Sequence, residues 1–175
     1  MKTYLLAILL LFSVSTTTAL FAQEVWTDHS RLLPDQLRNI PDGVFIYHNP
    51  TPVYPEINND TINYPGKYIW KNSTYIKSSV SGLRVVAAGS YIWYSTKGWI
   101  KNVMMDNAKF AQRFNCEDGV LRKNTVYVFK KNYRFGDVIY PGDALWFVIV
   151  ADERGNQYKG IALVETEGTL KQTKS

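Results

Sequence analysis

The sequence predicts a mainly β protein, a small antiparallel barrel or sandwich carrying one or two short helices. Three observations predict it. Leu145–Ala151 (L-W-F-V-I-V-A) is apolar at every position, so as a strand it is buried on both faces, in the middle of a sheet. Asp152–Gln157 is a polar break containing Gly155, and Ile161–Val164 returns after it as an antiparallel partner. Much of the remaining chain falls into short β-branched and aromatic runs separated by turn residues.

The chain opens with Lys2, an apolar run Leu5–Val14 and small polar residues Ser15–Thr18. That pattern is expected of a secretory signal peptide, with cleavage after Ala19 or, preferably, Ala22. The apolar run is shorter than the ~20 residues a spanning helix needs. Residues 1–22 therefore read as a cleaved leader, residues 23–168 as one compact domain and residues 169–175 as a polar tail. The expected location is secreted or periplasmic, with no integral membrane segment left after cleavage. Loss of the leader removes one lysine, leaving 19 basic and 15 acidic groups, a net +4. A mildly basic exported chain favours anionic surfaces and disfavours nucleic acid as a partner. The single cysteine, Cys116, has no partner for an intramolecular disulfide, so stability must come from the core.

Taken in order, Pro34 suits the first turn of a short helix through Asn39, with Leu32, Leu33 and Leu37 facing the core. Val44–Tyr47 is the first clear strand. Asn49–Gly66 holds four prolines and reads as a loop or sheet edge. Tyr68–Trp70, Leu83–Ala87, Tyr91–Ser95 and Trp99–Ile100 read as strands, with turns at Ser81-Gly82, Ala88-Gly89-Ser90 and Lys97-Gly98. Asp106 caps a helix through Phe114, in which Phe110 and Phe114 lie one turn apart and Asn115 ends the run. Thr125–Phe129 is a further strand. Asn59-Asp60-Thr61 and Asn72-Ser73-Thr74 match the N-glycosylation acceptor pattern, which matters only in a eukaryotic source.

Two patterns suggest duplication. Tyr64-Pro65-Gly66 with Trp70 recurs 76 residues on as Tyr140-Pro141-Gly142 with Trp146, and Asp42-Gly43-Val44 recurs as Asp118-Gly119-Val120. Gly82-Leu83-Arg84-Val85-Val86 is echoed by Gly160–Val164 at an offset of 78. These matches divide the domain into halves at 28–105 and 106–168; the competing explanation is that strands and turns reuse a small alphabet. In a different register, Gly82, Val85-Val86, Trp93-Tyr94 and Gly98-Trp99-Ile100 resemble the second half of bacterial SH3-like modules, and Gly136, Val138-Ile139, Trp146-Phe147 and Gly160-Ile161 echo it. The resemblance covers 20–30 residues in each case, roughly, on motifs of low specificity, and the modules' N-terminal strand signature is missing. It implies two small SH3-like halves side by side.

Chemical candidates are few. Cys116 precedes Glu117-Asp118, whose carboxylates would raise a thiol's pKa, and the only imidazoles, His29 and His48, are distant in sequence. No metal-ligand spacing, phosphate loop, dinucleotide fingerprint or serine-nucleophile motif occurs, so no cofactor is expected. A carboxylate pair of the glycosidase type is set in space and leaves no sequence signature.

Aromatic residues make up 14% of the chain and crowd into Tyr64–Trp99, so strand packing or a contact surface must account for them. The candidate contact residues are Tyr54 in the proline-rich loop, Tyr91, Trp93, Tyr94, Trp99 and Lys101 on the hairpin, and Lys130, Lys131 and Arg134 near the next turn. The function expected is an exported, non-catalytic binding module for a protein partner or an anionic or glycan polymer. The alternatives are a small hydrolase acting on wall or glycan material, an inhibitor or immunity-type protein, and a structural subunit of an envelope assembly.

Overall fold

The structure, a computed structural model, describes residues 31–171. The segment expected to be a leader (residues 1–22), His29 and residues 172–175 lie outside them. Over these residues the protein is mainly β, with antiparallel sheets of three to five strands and two helices, and the described sheets do not close into a barrel.

The helix α1 (Asp35–Arg38) follows Pro34 and sinks Leu37 completely. Leu33 packs partly beside it, whereas Leu32 is turned to solvent, contrary to the sequence expectation. One turn of helix can aim only one or two side chains inward.

Strands β1 (Phe45–Asn49), β4 (Ser73–Lys77) and β8 (Val126–Phe129) form one sheet, in that order. A second, five-stranded sheet runs β11 (Gln157–Thr166), β10 (Gly142–Ala151), β5 (Leu83–Tyr94), β6 (Gly98–Met105), with β7 (Val120–Leu121) also paired to β5. The third is short: β2 (Pro55–Ile57), β3 (Tyr68–Trp70) and β9 (Arg134–Gly136). Strand β2 lies inside the proline-rich segment, and its position on a sheet edge is where proline is tolerated.

Strand β10 is central, with β11 on one side and β5 on the other. Trp146, Val148 and Val150 enter the main core together with Ile46, Ile76, Val85, Leu121, Phe110 and Phe114. The alternate residues Leu145, Phe147 and Ile149 enter a second cluster on the opposite face, under Leu37 of α1. The unbroken apolar run is thus explained by a sheet covered on both sides. The order is sandwich-like, from the β1–β4–β8 sheet to the five-stranded sheet to α1.

Helix α2 (Asn107–Phe114) forms as expected. Asp106 accepts from the Lys109 N–H at 2.8 Å, the two phenylalanine rings stack at 4.5 Å, and Asn115 closes the helix in the left-handed conformation.

The expected turn at Ala88-Gly89-Ser90 does not exist; β5 runs straight through it. Gly89 is there for close approach. A Cβ on it would stand 2.1 Å from the Val103 carbonyl oxygen of β6, beside the bulge between Ser90 and Tyr91. Gly160 serves the same purpose against the Val44 carbonyl, 2.5 Å from an added Cβ, where β11 passes the start of β1. The Ser73–Lys77 strand escaped the sequence reading because its polar start conceals the alternation of Thr74 and Ile76 inward.

Each sheet takes strands from both 28–105 and 106–168. Both Tyr-Pro-Gly motifs lead into a strand bearing a buried tryptophan, Trp70 on β3 and Trp146 on β10. Gly82, in contrast, sits at a turn with φ +81, while Gly160 lies within a strand, so this part of the repeat has no shared structural role.

Candidate functional site

The outer face of the β1–β4–β8 sheet is built by simple alternation. In β1, Ile46 and His48 point inward, leaving Phe45, Tyr47 and Asn49 outside. In β4, Thr74 and Ile76 are buried and Ser73, Tyr75 and Lys77 are turned out. In β8, Tyr127 is buried and Val126 and Val128 flank it on the outside. The register aligns these residues as rows: Phe45, Lys77 and Val126, then Tyr47, Tyr75 and Val128. Ser73 ends the face, its hydroxyl donating to the Lys130 carbonyl at 2.8 Å.

At the centre the Tyr47 and Tyr75 rings stack with centroids 4.7 Å apart and planes within 4°. They stand as a ridge, and neither hydroxyl bonds to a described residue. Burial, and then the neighbouring Tyr75 phenol, raise the Tyr47 pKa above its ordinary value. Phe45, Tyr47 and Val126 are each close to half exposed. The three strands contain no acidic residue. Lys77, Lys130 and Lys131 make no ion pair with a described residue.

The sequence-based candidates distribute differently. Tyr91, Trp93, Trp99 and Lys101 share one face of the β5–β6 hairpin, since Tyr91 pairs with Lys101 and Trp93 with Trp99. Tyr91 is nevertheless only 3% exposed, packed with Leu37 and Phe147, so its ring is core rather than contact surface. Trp93 meets Trp99 edge-on at 5.2 Å and lies under the Arg31 guanidinium, which also pairs with Asp143. Tyr91, Trp99 and Lys101 line a groove of about 470 Å³ against α1, with Leu32, Asp35 and Arg38 opposite. Tyr94 is half exposed, on the other face.

Arg134 does not belong to a free basic cluster. Its guanidinium is held between the rings of Trp70 (4.2 Å) and Tyr140 (3.9 Å), and it donates to the Thr166 hydroxyl and the Tyr140 carbonyl. It fastens β9 to β3 and β11. Lys130 and Lys131 are exposed at the end of β8, beside the tyrosine ridge. Tyr54 is exposed just before β2.

The catalytic candidates are sealed. Cys116 is 1% exposed, its thiol pushed up by burial against smaller opposing effects from Tyr127 and Arg122, and its Sγ faces the Val120 carbonyl. The His48 Nδ1 lies 3.0 Å from the Thr74 hydroxyl, which accepts from the Asn132 amide at 2.7 Å. Burial lowers the His48 pKa to about 4, against a smaller opposing pull from the Ala162 backbone, so the ring is neutral at pH 7. Thiol and imidazole therefore have separate partners. Among the described residues no three His, Cys, Asp or Glu side chains gather to hold a metal ion, and no helix is long and apolar enough to cross a membrane. Of the two glycosylation triplets, Asn59 is exposed, but the Asn72 side-chain nitrogen is buried and has no room for a glycan in the folded protein.

The face was missed in the sequence because Phe45 and Tyr47 are two alternating residues in a run that reads simply as a strand. No family model matches the chain, and no curated protein matches it.

Proposed function

We propose that the protein is an exported, non-catalytic binding module, and that it recognises a cell-surface polymer through the outer face of the β1–β4–β8 sheet. The observation that carries this is the stacked Tyr47–Tyr75 ridge, exposed in the middle of a sheet face that carries lysines and no acid. Large aromatic side chains on open sheet surface lose burial energy unless something covers them, and tyrosine combines apolar area with a hydroxyl that can bond a ligand. The test is co-sedimentation of the purified protein with insoluble envelope or wall material, beside a Tyr47→Ser/Tyr75→Ser variant. The wild type should sediment and the variant should stay in the supernatant with an unchanged circular dichroism spectrum. Equal sedimentation of both would remove the face from the function.

A second reading, docking of a protein partner, is favoured by the α1–hairpin groove, where Lys101 is exposed and makes no ion pair with a described residue. In that case Lys101→Glu should abolish capture of the partner while the tyrosine double variant retains it.

A further inference from the structure

We infer that the polymer taken by the β1–β4–β8 face is an acidic polysaccharide, one bearing carboxylate or sulfate groups along an extended chain; this rests on the polymer-binding reading and narrows it. The argument is charge complementarity on a surface whose rows are set by strand register, with Lys130 placed just beyond them by its carbonyl's bond to Ser73. Phe45, Lys77 and Val126 form one row, Tyr47, Tyr75 and Val128 the next, and Ser73 and Lys130 meet beyond them. No strand of this sheet contributes an aspartate or glutamate. Lys77 and Lys130, neither in an ion pair with a described residue, therefore bracket the tyrosine ridge from opposite ends. Ser73 and Lys77 are four positions apart on β4, which places the two cationic ends about 13 Å apart along the strand at ~3.3 Å per residue.

The ionic groups offered to solvent on this face are cations, the two ammonium groups, and the two phenols between them have hydroxyls free to donate to a ligand, with no partner among the described residues. Such a surface complements a ligand that presents acceptors and negative charge repeatedly along its length. A ridge of stacked rings standing out from a sheet face is unlike the recessed site for a single buried anchor that protein interfaces favour. It does offer ring edges and flanks against which the apolar faces of sugars can lie, with acids reaching the lysines on either side.

The experiment measures binding of the purified full chain to immobilised polygalacturonate, heparin, neutral dextran and a single-stranded oligonucleotide, at low and high salt. Binding to an acidic glycan, weakened roughly tenfold or more at high salt as screening shortens the range of charge attraction, is the expected result. Lys77→Glu/Lys130→Glu should lose that binding, and Lys77→Arg/Lys130→Arg should keep it; both pairs are surface changes that leave the core intact. Binding to dextran as tight as to the acidic glycans, insensitive to salt, would overturn the acidic assignment while leaving a polymer-binding face. Equal binding to the oligonucleotide would also overturn it, by showing an affinity for charge alone. No binding to any polysaccharide, together with unchanged sedimentation of the tyrosine double variant, would remove the polymer-binding reading itself.

Discussion

At the scale of single residues, His48 is held neutral inside the protein by burial, with Thr74 and Asn132 organising its ring. Its folded pKa, about 4, lies below the ordinary 6.5, so between these values the unfolded chain binds a proton that the folded chain refuses. Stability from this residue is complete above about pH 6.5 and falls as pH drops toward 4, by about 3 kcal/mol in all. Urea denaturation at pH 7 and pH 4.5 should show the loss, and a His48→Leu variant should show a flatter pH dependence. An unchanged slope in the variant would assign the effect to other groups. Tyr47 offers a spectroscopic check of the outer face. Its phenol should ionise above the ordinary tyrosine range in an ultraviolet titration, and Tyr75→Phe should lower that midpoint only in part, because burial is the larger cause. A midpoint indifferent to Tyr75 would leave burial as the sole cause of the shift.

At the scale of elements, β10 is the strand on which both clusters rely. Leu145 is completely buried, and Leu145→Ala should cost about 2–5 kcal/mol in a denaturant titration, with the spread set by how far the α1 layer collapses into the gap. A cost no larger than that of a surface change would show that α1 does not cover this face. Helix α2 depends on its cap, and Asp106→Ala should destabilise the protein by about 1 kcal/mol while leaving the sheet spectrum intact. These elements were legible in the sequence for a physical reason: an apolar run, a capping aspartate and a left-handed asparagine each act within a few residues. Gly89 was misread for the converse reason. A glycine that admits a neighbouring carbonyl and a glycine that turns the chain look alike until the neighbour is known.

At the scale of the whole molecule, the segments 28–105 and 106–168 share all three sheets. Lys159, buried in β11, reaches back to the Ile40 carbonyl and Asp42, adding a polar tie between the two. A chain of residues 106–175 alone should therefore lack the cooperative unfolding of the intact protein. A cooperative melt from that fragment would show that the second segment has a core of its own.

The candidate surface divides in the same way between local and distant causes. Short-range patterns in the chain are enough to make the protein mainly β, to put Leu145–Ala151 at its centre, to start a helix over Asn107–Phe114 under the Asp106 cap, and to supply aromatic and basic residues for use. Each follows from periodicity or capping along a short stretch of chain. Which aromatics reach solvent is settled by long-range packing. It buried Tyr91 under α1, locked Arg134 between Trp70 and Tyr140, and left Tyr47 stacked on Tyr75 in the open. The physical reason is that alternation assigns a side chain to one of two faces, but which face is covered depends on strands and helices far away in the sequence.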